Sequence, residues 1–358
     1  MKKLVISAVA ASMASATALA SESEWSGLDR DVQALSASVS GLESTGPDFG
    51  GYIRFAYLTS SDIEVAPGVD LGGFEVLEAR LRATGKRGDV EYVLQAGFQN
   101  AFSANEGVNL EDAYVNIPIG SNLHVRAGQF RALVARDALV RASRLFFADR
   151  SEIGNLFEAR NQGLALLGAF DAFDWAVTIQ DGTDGDGDDY LIALRGEFAF
   201  LGDGVDMIEG SYGAPDQVEG TLAASYWDDG AVDDASGILV QATVAAAMYS
   251  VNVWFADIGD ALSTPNALDP TAILLSADST PFGITGTFMV TPATADQGGW
   301  ELGVRFQDMD DANDTNVIDF GVNYYAAGHD YKYFLHYKTI DGDAGDADLI
   351  VLGLNVGF

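Results

Sequence analysis

The sequence predicts an all-β chain: a closed antiparallel transmembrane β-barrel of about sixteen strands, preceded by a short N-terminal helical (coiled-coil) segment. Three observations predict it. From Gly50 onward apolar residues alternate with polar or small ones, over and over. Beyond the N-terminus no run approaches the ~20 apolar residues that a membrane-spanning helix needs. The connections between alternating segments are by turns tight and long, the plan of a barrel with short turns on one side of the membrane and long loops on the other.

The N-terminus reads as an export signal. Lys2 and Lys3 precede the apolar run Leu4 to Ala14, and Ala18-Leu19-Ala20 is a small-x-small cleavage site. Residues 1–20 are therefore expected to be a signal peptide, leaving 338 of 358 residues and, with Lys2 and Lys3 gone, moving the net charge from −34 to −36. Such acidity excludes general nucleic-acid binding. The absence of cysteine excludes disulfides, thiol catalysis and cysteine-ligated metals. In residues 21–46, Trp25, Leu28, Val32, Leu35, Val39 and Leu42 follow a 3-4-3-4-3 spacing, three heptads that Gly46-Pro47 terminates. A short trimerising coiled coil is expected there; an amphipathic helix lying on the barrel or a tether would leave the same pattern.

Residues 47–358 carry the barrel signal. Ile53, Phe55 and Tyr57 alternate with Tyr52, Arg54 and Ala56; Leu77, Ala79 and Leu81 with Glu78, Arg80 and Arg82; Trp300, Leu302, Val304 and Phe306 with Glu301, Gly303, Arg305 and Gln307. A strand repeats every two residues, so each stretch has one greasy and one polar face. Sixteen candidates are counted, near 50–59, 73–84, 90–99, 110–118, 122–129, 161–170, 173–181, 188–199, 217–228, 236–246, 249–258, 281–291, 298–308, 315–326, 329–340 and 347–358. An even count puts both ends of the barrel on the periplasmic side. The connection 200–216 is too long for a periplasmic turn. The final segment, with Ile350, Leu352, Leu354, Val356 and Phe358 on one face, would be a sticky edge in a soluble protein but a normal lipid-facing wall in a closed barrel. Its terminal Phe also resembles the C-terminal signature of bacterial outer-membrane barrels.

Charge is distributed unevenly. The long loops hold most of the acid; the Asp184, Asp186 and Asp188 cluster is a weak Ca²⁺ candidate, but no complete EF-hand pattern is present and a solvated acidic surface is the favoured reading. No cofactor is expected. Residues 131–160 break the rule. Arg131, Arg136, Arg141, Arg144, Arg150 and Arg160 stand against Asp137, Asp149, Glu152 and Glu158, a local balance of +2. The segment also contains Leu133, Val134, Leu145, Phe146, Phe147 and Phe157, so it is expected to fold inward as the third long loop and to constrict the lumen. Its arginines would then meet anions in a narrow, weakly screened channel. By the alternation, Arg54, Arg80, Arg82, Arg126, Arg195, Arg305, Lys332 and Lys338 face the lumen, along with Glu78, Asp112, Asp174, Glu197, Glu301 and Asp319. Cross-strand salt bridges lining a general pore are the alternative reading.

Gly128-Gln129-Phe130-Arg131 resembles the Gly-x-Phe-Lys/Arg strand exit of the phosphate-selective porin O and P family. Ser143-Arg144-Leu145-Phe146-Phe147-Ala148-Asp149-Arg150-Ser151 is similar to its Ser-x-x-x-x-Phe-x-[acid]-Arg-Ser stretch. Arg160-Asn161-Gln162-Gly163 resembles its re-entry into the barrel, and Leu77 to Leu81 its second strand. The resemblance implies a homotrimer in the bacterial outer membrane, surrounded by lipid and lipopolysaccharide, with an arginine-lined route for phosphate or other small anions; Arg131, Arg144, Arg150 and Arg160 carry that implication. The chain departs from the family at Ala132 and Leu133, where a proline is usual, and it has few lysines. A passive porin for small hydrophilic solutes and ions, favouring anions, is the expected function, and a general or cation-preferring porin the alternative. A hydrolase would need His124, His329 or His336 as base, and no G-x-S-x-G elbow is present. A secreted β-sandwich would explain the alternation but not the greasy last strand.

Overall fold

The computed structural model describes residues 46–66, 69–98, 107–182, 189–230, 235–259, 278–292, 298–343 and 345–358. The expected signal peptide, the heptads of 21–45 and the Asp184, Asp186 and Asp188 cluster lie outside the described residues.

Sixteen strands form one closed antiparallel barrel: β1 (Asp48–Ala66), β2 (Val69–Arg87), β3 (Val90–Phe98), β4 (Val108–Pro118), β5 (Leu123–Arg131), β6 (Arg160–Phe170), β7 (Phe173–Asp181), β8 (Tyr190–Leu201), β9 (Glu219–Asp229), β10 (Ala235–Ala246), β11 (Tyr249–Ile258), β12 (Phe282–Thr291), β13 (Gly299–Asp308), β14 (Asn316–Ala327), β15 (Tyr331–Asp341) and β16 (Ala347–Gly357). The largest departures from the sequence-based boundaries are β1 and β2, which run on past residue 59 and begin before residue 73. Thr59-Ser60-Ser61-Asp62 is polar, so the hairpin continues beyond the greasy pattern that marks the lipid zone.

The last strand closes the sheet. β16 pairs with β1 from Tyr52 opposite Gly357 to Thr59 opposite Ile350. Gly51 and Phe358 exchange backbone bonds of 2.9 and 3.0 Å. No sheet edge is left to face hydrocarbon, where unpaired amides would cost several kcal/mol each.

The alternation sorts as the physics requires. Ile53, Leu81, Leu164, Val177, Ile192, Val253, Leu302, Leu335 and Leu352 all stand exposed on the outer face. In a bilayer that face is covered by acyl chains. Phe170, Phe173, Phe198, Phe200 and Trp300 cluster toward the end with the tight turns, and Tyr190, Tyr226, Phe282 and Tyr337 toward the other, as interfacial girdles do.

The interior is not an open tube. Residues 132–159 pass inward from the top of β5. They form α1 (Arg136–Leu139), a 3₁₀ turn (Ala142–Arg144) and α2 (Glu152–Leu156) before re-entering the wall at β6. The connection 202–218 between β8 and β9, unexplained as a turn, folds into the lumen from the opposite end: Glu209 bonds to the inward loop and Ser211 to the wall of β13. Ala132, Val134, Ala135, Ala138, Ile153 and Phe157 of the loop bury themselves against Leu191, Ala193, Trp227, Leu239, Trp254 and Ile258 of the wall. Phe157 meets the Trp227 ring edge-on at 5.0 Å. One side of the barrel thus holds a dry core.

Candidate functional site

The inward loop is held at both helix starts by wall glutamines. A helix leaves its first N–H groups unpaired. Arg136 N–H donates to Gln241 of β10 at 2.7 Å, and Glu152 N–H donates to Gln307 of β13 at 2.7 Å. Ser151 also caps α2 by accepting from Gly154 N–H. Along its length the loop backbone is pinned strand by strand. Arg195 and Ser225 donate to Val134 O, Lys332 to Leu145 O, Asn323 to Phe146 O and Arg54 to Ala148 O. His336 Nδ1 accepts from Ala148 N–H at 2.7 Å, and its Nε2 meets Asn323 Oδ1 at 3.1 Å, which fixes a neutral, Nε2-protonated ring.

The Phe146 ring sits in a niche made by absence. Gly303 and Gly321 face each other across β13 and β14. A Cβ on either would lie 2.4 or 2.6 Å from the ring. Gly128, at the strand exit before the loop, has φ +131° and lies so close to Ala113 O that no larger residue fits.

The inserted connection meets the loop from below. The Glu209 carboxylate accepts from Phe146 and Phe147 N–H at 2.8 and 3.3 Å and lies 3.5 Å from Arg305. Burial pushes Glu209 up to about 6, against the pull of Arg305 and the two amides. Arg136 donates to Val205 O at 3.0 Å and also to Asp206 O. Tyr212 stacks on Tyr325 at 4.1 Å, and His329, pushed down to about 3 by burial, contacts Tyr212 O.

The six loop-region arginines therefore have different positions. Arg136 and Arg150 are only 3% and 2% exposed. Arg136 is spent on the carbonyls of the inserted connection. Arg150 donates to Asp137 O and Val140 O at 2.6 and 2.7 Å and lies 3.3 Å from Glu158. Arg131 binds Ala138 O and the Glu158 carboxylate. Burial works to raise Glu158, but Arg150, Arg131 and Arg160 outweigh it and hold its carboxyl well below the usual range. Arg160 reaches Glu111 at 2.8 Å and Asp112 at 3.5 Å. Arg141 and Arg144 alone among the six are exposed. Sequence spacing treated these six as one set; long-range partners separate them.

The wall cations divide in the same way. Arg54, Arg195, Arg305, Lys332 and Lys338 face inward as the alternation requires, but beneath the plug. Arg305 is shared among Asp319, Glu209 and Asp149 O, and Lys338 pairs with Glu152 at 2.9 Å. From the inner face of the wall these residues fasten the loop. Arg80, Arg82 and Arg126 belong to the side that the loop leaves uncovered, where inward residues of β2, β4 and β5 are half-buried. An ion-pair chain runs there through Arg80, Glu111, Arg160, Asp112 and Arg82, with 3.6 Å for the last step. Below it Arg126 donates to Asn116 at 3.0 Å and lies over the Tyr114 ring at 4.3 Å. Among the described residues, Arg126, Arg141 and Arg144 have no carboxylate within 4.0 Å.

No protein-family profile matches this chain, and no curated protein sequence matches it. Solved structures do. A loop-deletion mutant of OmpT, an outer membrane protein of Vibrio cholerae, is 12% identical with a TM-score of 0.58, over 88% of this chain and 100% of that one. A mutant porin of Rhodopseudomonas blastica is 16% identical with a TM-score of 0.57, over 87% and 100%. An anion-selective porin from Comamonas acidovorans is 12% identical with a TM-score of 0.56, over 87% and 99%. At these identities the likeness is one of fold. The closed sixteen-stranded wall and its lipid-facing band, in this fold, place the protein in a bacterial outer membrane.

Proposed function

We propose that the protein is a porin for passive diffusion of small hydrophilic solutes, with a constriction that favours anions. The observation that carries this reading is the pair Arg141 and Arg144: exposed residues on an inward-folded loop, with no carboxylate within 4.0 Å among the described residues. In a narrow passage weakly screened by water, fixed positive charge lowers the barrier for anions and raises it for cations. Chloride, phosphate and small carboxylates are the classes such a stretch admits. The fold shared with the anion-selective porin from Comamonas acidovorans supports the reading at the level of architecture. The acidic outer loops oppose it at low ionic strength, where their field reaches furthest.

The test is the reversal potential of the purified protein in a planar bilayer under a KCl gradient. Anion preference is expected, moving toward cations in the Arg141→Gln, Arg144→Gln double variant. Cation preference that the double variant leaves unchanged would overturn the anion reading. Absence of any ion conductance would overturn the porin reading.

We also read the assembly as a homotrimer. Outward positions of β2 to β5 include Ala79, Ala83, Ala96, Ala113 and Ala127, small side chains that let a neighbouring copy approach closely. Mass measurement of the detergent-solubilised protein decides the copy number.

A further inference from the structure

We propose that Glu111 and Asp112 are specificity-determining residues of the uncovered wall. Side by side on β4, they occupy from within an oxyanion seat built by Arg80, Arg160 and Arg82, so that solute anions pass it without being held. This rests on the porin reading and names residues that set how anions cross.

The seat begins with a break in the alternation. Ala96 of β3 pairs with Leu110 of β4, and Leu94 pairs with Ala113, so Gln95 stands opposite both Glu111 and Asp112. This is a β-bulge, which gives one strand an extra residue and re-aims its side chains. A strict period of two would send Asp112 inward and Glu111 out into lipid. The bulge turns both carboxylates to the lumen, while Leu110 stays on the outer face. Gln129 of β5 supports the irregular backbone: its amide donates to Leu110 O at 2.7 Å and to Glu111 O at 2.9 Å.

Strands β2 and β6 bring guanidiniums to the pair. Arg80 binds one Glu111 carboxylate oxygen, and Arg160 binds the other at 2.8 Å. Arg160 also lies 3.5 Å from one Asp112 oxygen, and Arg82 lies 3.6 Å from the other. The Arg80–Glu111 contact passes over Gly97 of β3, where a Cβ would collide with both side chains. These five side chains keep between 9% and 19% exposure, against 0% for Arg305 under the loop, so the row meets lumen water.

A carboxylate that takes one guanidinium on each oxygen fills the place a solute oxyanion would take. Glu111 is tethered there, so it competes at an effective concentration of roughly millimolar or more with solutes that arrive by diffusion. Conduction needs sites on the path to release what they bind. Without the Glu111 charge, Arg80 keeps Glu78 at 3.4 Å and Arg160 keeps Asp112, but the two forks lose the oxyanion they share. A doubly charged oxyanion from solution would then be held between them.

The experiment is block by inorganic sulfate of the KCl current through the purified protein in a planar bilayer. Glu111→Gln is expected to lower the half-blocking sulfate concentration about tenfold, roughly 1.4 kcal/mol of binding. Asp112→Asn, which leaves Arg160 on Glu111, should lower it about threefold. Its value decides alone if Glu111→Gln yields no folded barrel. Asp174→Asn removes an inward carboxylate of β7 that has no guanidinium within 4.0 Å among the described residues, and should leave the block unchanged. A gain from Asp174→Asn equal to that from Glu111→Gln would point to general charge without a seat and overturn the proposal. Conductance with sulfate block that neither Glu111→Gln nor Asp112→Asn strengthens would overturn it too, and keep the porin reading. No conductance in the natural protein would remove both.

Discussion

The two sides of this barrel use the same alternating wall for opposite ends. Along β8 to β16 the inward residues are almost all buried, by an apolar cluster around Trp227 and Trp254 at one level and by Arg195, Arg305, Lys332 and Lys338 at another. Along β2, β4 and β5 the inward residues are largely half-buried and charged. The difference teaches that an inward-facing arginine is not by itself a pore arginine. On the filled side a guanidinium replaces lost water with loop carbonyls and carboxylates, because a buried charge without partners costs far more than its pairing returns. On the open side water does that work, and donors stay available for a passing solute.

The largest test removes the difference. Replacing residues 134–156 with a short Gly-Ser linker should uncover the filled side and raise single-channel conductance by about threefold or more, since the loop occupies the lumen cross-section. Unchanged conductance would mean that the passage does not run beside this loop.

A smaller effect separates the sides by stability. Trp227→Ala empties a site in the dry core and should cost about 3–5 kcal/mol in denaturant unfolding from detergent. Arg141→Ala, on the hydrated side, should stay within about 0.5 kcal/mol. Similar costs for both would refute a packed half and a wet half.

The smallest effect reads the joint between the loop and the inserted connection. Glu209 titrates at about 6 in the fold, above its ordinary 4.5. Its contribution to stability is therefore complete below about 4.5 and lost as pH rises through 6, about 2 kcal/mol in all. Relative to Glu209→Gln, the natural protein should lose that amount between pH 4.5 and pH 8. A pH-independent difference would show that the Glu209 carboxyl is not enclosed at this joint.

Much of the wall was legible. The side-chain period of two survives any tertiary arrangement, so sixteen strands, their faces and the inward set from Arg54 to Lys338 could be read from local pattern. The inward course of 131–160 was legible too, because so many apolar residues in one loop demand cover. The glycine niche left a faint signal: Gly303 falls at an inward position between the large inward residues Glu301 and Arg305. The connection 202–218 gave only its length. Nothing local distinguishes Arg136 and Arg150 from Arg141 and Arg144: the partners of Arg136 lie 69 and 70 residues away at Val205 and Asp206, and those of Arg150, at Asp137, Val140 and Glu158, meet it only once the loop has folded.

By itself, then, the sequence determined a sheet closed within lipid and a positively charged segment turned into it. Both follow from short-range periodicity and composition, which act on each stretch of chain independently. Only the tertiary structure decided which guanidiniums are sealed and which meet water. That choice depends on Gln241, Gln307, Glu209 and the paired glycines arriving at one level of the barrel, and distance along the chain carries no record of it.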